Sequence, residues 1–113
     1  MNITSIPKIK HTASNNFFLI AGPCVVENEE VVFETASTLK SITDELQIPF
    51  IYKASYRKAN RTSAKSFTGI GDEAALKLLK RVGDDLQVPL LTDIHESDEA
   101  AIAAQFVDVL QIP

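Results

Sequence analysis

Short apolar runs alternate along this chain with longer stretches in which apolar residues recur every three or four positions. Phe17-Phe-Leu-Ile-Ala-Gly22 is almost continuously apolar and predicts a buried strand. From about Asn28 to Leu46, Val32, Ala36, Leu39 and Leu46 fall near one face of a helix. Glu29 and Glu30 occupy its first turn, where carboxylates suit the helix dipole. Phe50-Ile-Tyr-Lys-Ala-Ser55 reads as a second strand, and a polar, basic stretch follows it to Gly71. Asp72 then starts a second helix, with Ala75, Leu78, Leu79 and Val82 at helical spacing and Gly83 as its stop. Leu90-Leu-Thr-Asp93 is a third strand, an alanine-rich helix runs from about Ser97 to Gln105, and Val107-Asp-Val-Leu-Gln111 is a fourth strand.

Regular β-α-β-α order means parallel strands with helices outside. A closed eight-stranded barrel and an open doubly wound sheet both fit that order. The first strand-to-helix turn, Ala21-Gly-Pro-Cys-Val-Val-Glu27, lacks a dinucleotide glycine fingerprint, which weakens the second option. A faint repeat, Leu46-Gln-Ile-Pro49 and Leu86-Gln-Val-Pro89, marks two helix ends that feed strands. A (β/α)₈ barrel needs roughly 250 residues. The sequence therefore reads as part of a longer protein, expected to be inactive by itself. Residues 1–16 form an N-terminal extension or hairpin, and residues 17–113 the first four strands and three helices.

The charge distribution adds a ligand to this picture. The net charge is −4, yet Ile51 to Gly71 contains Lys53, Arg57, Lys58, Arg61 and Lys65 and no acidic residue. One concentrated basic stretch in an acidic chain points to a local anionic ligand and away from a nucleic-acid surface. No apolar run reaches the length of a membrane span, and MNITSIPKIKHTASNN lacks the apolar core of a signal peptide. A single cysteine cannot form an internal disulfide, so a cytoplasmic setting with a reduced thiol is expected.

In parallel α/β folds, catalytic groups gather at the C-terminal ends of the strands. Those ends carry Gly22-Pro-Cys24, Lys53-Ala-Ser55, Asp93-Ile-His95-Glu96 and Gln111. Cys24 is either a small buried hydrophobe or a metal ligand, which would need further donors. Lys53 in an apolar strand costs free energy to bury unless it meets an anion, although it can also snorkel to the surface. Lys58-Ala-Asn-Arg61-Thr-Ser63 combines two cations with short donors, a set that suits phosphate as well as a solvated loop. Asp93 is a helix cap or a contact for sugar hydroxyls. His95 lies in the right region without an assigned role, and His11 has none.

Ala21-Gly-Pro-Cys24, Lys53-Ala-Ser55, Lys58-Ala-Asn-Arg61-Thr-Ser63, Thr92-Asp-Ile-His-Glu96 and Asp108-Val-Leu-Gln-Ile-Pro113 occur in this order. Together they resemble the KDO-8-phosphate synthases (3-deoxy-D-manno-octulosonate 8-phosphate synthases) from about Phe17 to Pro113. The related heptulosonate 7-phosphate synthases resemble it in the Gly-Pro-Cys turn but lack the Lys-Ala-Asn-Arg pattern. The resemblance implies the N-terminal half of a (β/α)₈ TIM barrel, in a cytoplasmic homotetramer. It implies condensation of phosphoenolpyruvate with D-arabinose 5-phosphate and water, for the lipopolysaccharide inner core. Lys53, Ser55, Lys58 and Gln111 would then hold phosphoenolpyruvate. Asn60, Arg61 and Thr62 would hold the sugar phosphate, and Asp93 its hydroxyls, with Ser63 a further substrate-binding residue and Lys53, Lys58 and Asp93 as the catalytic groups. Members with Cys at the first strand exit are metal-dependent. Cys24 would thus be one ligand of a divalent Zn, Fe, Mn or Co, with His, Glu and Asp from later strands. Thr62 stands where many members have Ser, and Arg57 where an acidic residue is common. The alternatives are a heptulosonate synthase using erythrose 4-phosphate and a non-catalytic sugar-phosphate-binding module.

Overall fold

The computed structural model describes residues 2–57 and 71–113. Lys58, Asn60, Arg61, Thr62 and Ser63 lie outside the described residues. Among the described residues, a 3-10 turn at Ile3–Ser5 precedes β1 (Leu19–Ala21), α1 (Glu29–Leu46), β2 (Phe50–Lys53), α2 (Asp72–Leu86), β3 (Leu90–Asp93), α3 (Glu99–Ala103) and β4 (Val109–Gln111). Among the described residues, no strand occurs before Leu19.

All strand pairs are parallel, and the sheet order is β1-β2-β3-β4. A doubly wound sheet reverses its strand order at a switch point. Four strands added in sequence without reversal are the architecture of a (β/α)₈ barrel wall. The chain is thus α/β and has the form of the N-terminal part of such a barrel.

The pleat separates two apolar layers. Leu19, Ala21, Phe50, Tyr52, Leu90 and Leu110 face the helices, where Val32, Ala36, Leu76, Leu79 and Val82 complete the larger core. Ile51 and Leu91 face the other way and pack with Ile6 of the N-terminal extension. The extension therefore covers the inner face below the site. Tyr52 is fully buried, and its hydroxyl donates to the Val32 carbonyl at 2.8 Å, tying β2 to the first turns of α1. Tyr52→Phe is expected to cost about 1–2 kcal/mol in urea unfolding, because the Val32 carbonyl loses a buried donor.

The repeated Leu-Gln-aliphatic-Pro motif has a physical basis. Gln47 and Gln87 both take the left-handed conformation at φ 56°. The next residues, Ile48 and Val88, bond back to the carbonyls of Thr43 and Gly83. This closes each helix and turns the chain into the following strand.

Four expectations change. The helix stop is Gln87 and not Gly83, which is buried inside α2 against the Leu90 side chain. Leu46 is exposed, and Thr43 occupies the buried stripe of α1 instead. Its hydroxyl donates to the Leu39 carbonyl at 2.8 Å, which satisfies it inside the core. The first strand is not buried: Phe17, Phe18 and Ile20 are exposed. Among the described residues β1 pairs only with β2, so its other edge has no neighbour to cover it. The third helix is shorter than expected, since only Glu99–Ala103 closes helical turns.

Candidate active site

The inner face continues past its apolar layer into polar side chains. Ile51, Leu91 and Val109 lie in or against the inner cluster. Two residues further along each strand, on the same face, stand Lys53, Asp93 and Gln111. Register places Lys53 beside Leu91, and Asp93 beside Gln111. Three strands thus deliver a cation, a carboxylate and an amide to one end of one face. Lys53 is half-buried and takes part in no ion pair among the described residues.

The exits are held together by backbone bonds. Val25 bridges Ser55, the Ser55 amide donates to the Cys24 carbonyl at 3.4 Å, and the Val26 amide donates to the Ser55 carbonyl at 3.0 Å. Gly22 lies so close to β2 that a Cβ there would sit 1.7 Å from the Lys53 carbonyl oxygen. The Gly-Pro-Cys turn is therefore folded tightly onto the strand that carries Lys53.

Asp93 is the best-supported side chain of the group. The Ser55 hydroxyl donates to its Oδ1, and His95 Nε2 lies 3.0 Å from its Oδ2. With the ring proton on Nε2, His95 donates to the carboxylate and orients it. Asp93 is therefore not a helix cap. Each of its oxygens has a partner and retains a lone pair for a ligand hydroxyl.

Cys24 is a free thiol, exposed in this chain. An exposed thiol at a strand exit fits one donor position of a metal site. Among the described residues, no three His, Cys, Asp or Glu side chains converge to complete one. No helix among them is long and apolar enough to cross a membrane.

The strand-exit geometry is that of a barrel wall, and comparison with known proteins gives the family. Residues 1–113 match the model of the DAHP synthetase I family. The chain belongs to that family. Among its curated relatives, the 2-dehydro-3-deoxyphosphooctonate aldolase of Cupriavidus taiwanensis is 59% identical over 97 residues, covering 86% of this chain and 34% of that protein. The protein of the same name from Hydrogenovibrio crunogenus is 56% identical over 96 residues, covering 85% of this chain and 35% of that protein. That from Bordetella pertussis is 57% identical over 97 residues, covering 86% and 34%. The chain spans about a third of the length of these relatives.

Two side chains of this family member have partners that the sequence does not show. Arg57 belongs to the basic stretch, but its guanidinium pairs with Asp72 at 2.7 Å and Glu99 at 3.1 Å. Its charge is used within the protein. His11, given no role, lies 2.9 Å from Asp44 and helps hold the N-terminal extension against α1. Lys40 and His11 together hold the Asp44 carboxyl below its usual range. Neither pairing has a local sequence signal, since the partners are brought together only by the fold.

Proposed function

We propose that this chain forms the first part of the active-site mouth of an enzyme that condenses phosphoenolpyruvate with D-arabinose 5-phosphate and water. The products are 3-deoxy-D-manno-octulosonate 8-phosphate and phosphate. The observation that carries the reading is the convergence of Lys53, Asp93 and Gln111 on one strand-exit face, in a chain 56–59% identical to octonate aldolases. A three-carbon enol phosphate and a five-carbon sugar phosphate make an eight-carbon acid. That carbon count favours arabinose 5-phosphate over the erythrose 4-phosphate of a heptulosonate synthase, and the names of the octonate aldolase relatives support it.

The chemical task is to bring two anions together. Two unit charges 4 Å apart repel by about 4 kcal/mol at an effective dielectric of 20. Lys53 offsets this repulsion at the floor of the mouth, and Lys58 and Arg61 add further cations. Gln111 offers amide donors beside Asp93, and Ser55 and Lys58 join Lys53 and Gln111 around phosphoenolpyruvate. Asn60, Arg61, Thr62 and Ser63 take the sugar phosphate. Asp93, oriented by Ser55 and His95, accepts from the sugar hydroxyls and sets the aldehyde in line. The methylene carbon of phosphoenolpyruvate attacks the aldehyde carbon. Water adds at the former enol carbon, and the C–O bond to phosphate breaks.

Cys24 is proposed as one ligand of a divalent Zn, Fe, Mn or Co. Such an ion would polarise an oxygen or lower the pKa of bound water. The same resemblance supports a cytoplasmic homotetramer working in lipopolysaccharide synthesis.

The test is phosphate release by the full-length gene product from phosphoenolpyruvate with arabinose 5-phosphate or erythrose 4-phosphate. Preference for the four-carbon sugar would overturn the reading. Chelator treatment and Cys24→Ala are each expected to lower kcat at least tenfold, an order typical of a lost metal contact. Full activity of the chelated enzyme would remove the metal.

A further inference from the structure

Beside the mouth lies a polar cluster that the proposed chemistry does not use. Glu99, at the start of α3, is buried, and its carboxylate is surrounded by donors. Oε1 accepts from the backbone amides of His95 at 3.0 Å and Glu96 at 2.7 Å. Oε2 accepts from the Tyr56 hydroxyl and pairs with Arg57 at 3.1 Å. Arg57 is held in turn by Asp72, through Nη2 at 2.7 Å and Nε at 3.2 Å. One carboxylate thus joins the turn after β3 to the segment after β2 and, through Arg57, to the start of α2.

We propose that Glu99 is a positioning residue: anchored by Tyr56 and Arg57, its carboxylate fixes the turn from Asp93 to Glu96 and thereby the orientation of Asp93. The path is short. Glu99 holds the His95 and Glu96 amides, and the His95 ring lies on the Asp93 carboxylate. The other Asp93 oxygen is held by Ser55, one residue before Tyr56. Both supports of Asp93 therefore converge on the cluster. Burial alone would disfavour a charged Glu99. The Tyr56 hydroxyl, the two amides and Arg57 outweigh it and hold the carboxyl below its ordinary range. Burial and Glu99 push the Tyr56 phenol upward, so it stays a donor at neutral pH. A buried carboxylate with four donors, two of them on one catalytic turn, is a rigid strut and a poor ligand site.

This role rests on the proposed substrates, with Asp93 facing the sugar. In the full-length gene product, Glu99→Ala is expected to lower kcat/KM for arabinose 5-phosphate roughly ten- to hundredfold, the scale of a misplaced positioning group. The KM for phosphoenolpyruvate should rise by a smaller factor, since Lys53 and Gln111 are fixed by strand pairing, whereas the Asp93 carboxylate also depends on the turn after β3. Glu99→Gln keeps an acceptor for the two amides and should recover most of the loss. Hydrogen exchange should show faster opening at His95 and Glu96 in Glu99→Ala than in Glu99→Gln. If Glu99→Ala does not fold, Tyr56→Phe removes one anchor and should shift the same parameters in the same direction by a smaller factor. An equal rise in both KM values, unchanged kinetics, or unchanged exchange at His95 and Glu96 overturns the proposal. If the wild type makes no eight-carbon product, the functional reading fails, and the exchange comparison still decides whether Glu99 holds the turn.

Discussion

Lys53→Met in the full-length gene product is expected to leave the protein folded and to lower kcat roughly 10²–10³-fold, the usual loss when one preorganised charge at the reacting centre is removed. Methionine keeps most of the volume and flexibility of lysine while removing its ammonium. Lys53 is half-buried at the end of an otherwise apolar strand and finds no carboxylate among the described residues. A cation in that position costs folding free energy unless an anionic ligand arrives. The two properties should therefore move in opposite directions. The urea midpoint of Lys53→Met should be unchanged or higher, while phosphate release from phosphoenolpyruvate collapses. More than a tenth of wild-type turnover in the variant would show that Lys53 is a snorkelling surface lysine.

Gly22→Ala is expected to be among the most damaging small substitutions in the chain. The added Cβ would meet the Lys53 carbonyl oxygen at 1.7 Å and its carbonyl carbon at 2.8 Å. These are backbone atoms of a paired strand, so a change of side-chain rotamer relieves nothing. Either β1 or the end of β2 must move, and the turn carrying Cys24 moves with it. The cost should reach about 3–5 kcal/mol, the upper range for single substitutions, against total stabilities of about 5–15 kcal/mol. Gly83→Ala is the control. There the nearest atoms are Cδ1 and Cγ of Leu90 at 2.8 and 2.9 Å and the Val88 carbonyl oxygen at 3.2 Å, a milder clash carried mainly by a side chain that can shift, and alanine offsets part of it by favouring the helix by about 1 kcal/mol. Urea unfolding of both variants checks the order. An equal or smaller loss for Gly22→Ala would mean that the turn is not tightly packed.

Among the described residues, periodicity locates each strand and helix of the barrel wall because each element buries one face, and burial writes itself into the spacing of apolar residues. It erred where burial was incomplete or indirect. Phe17 and Phe18 look like core residues and are exposed, because nothing described covers the free edge of β1. Gly83 looks like a helix stop and is a packing contact, since its value lies in the missing Cβ facing Leu90. The repeated Leu-Gln-aliphatic-Pro motif marks two helix ends, but the left-handed backbone of its Gln is not visible in the letters.

The candidate site divides in the same way. Strand-exit position alone singled out Cys24, Lys53, Ser55, Asp93 and Gln111, because in a parallel sheet every strand points its C-terminal end toward one mouth. Sequence order and residue parity are enough for that. The order of elements also establishes the α/β class, while the kinship of the chain rests on its motifs and its match to the family. The tertiary structure decided what each polar group touches. It showed that Ser55 and His95 hold Asp93, and that the Arg57 charge is taken by Asp72 and Glu99. Glu99 lies 42 positions from Arg57 along the chain, against three or four for its own helical neighbours. Pairing over that distance depends on two strand exits lying side by side in the sheet. Charge and hydrogen bonding act through space, so their partners are set by the fold, whereas the burial pattern that builds the fold is already written along the chain.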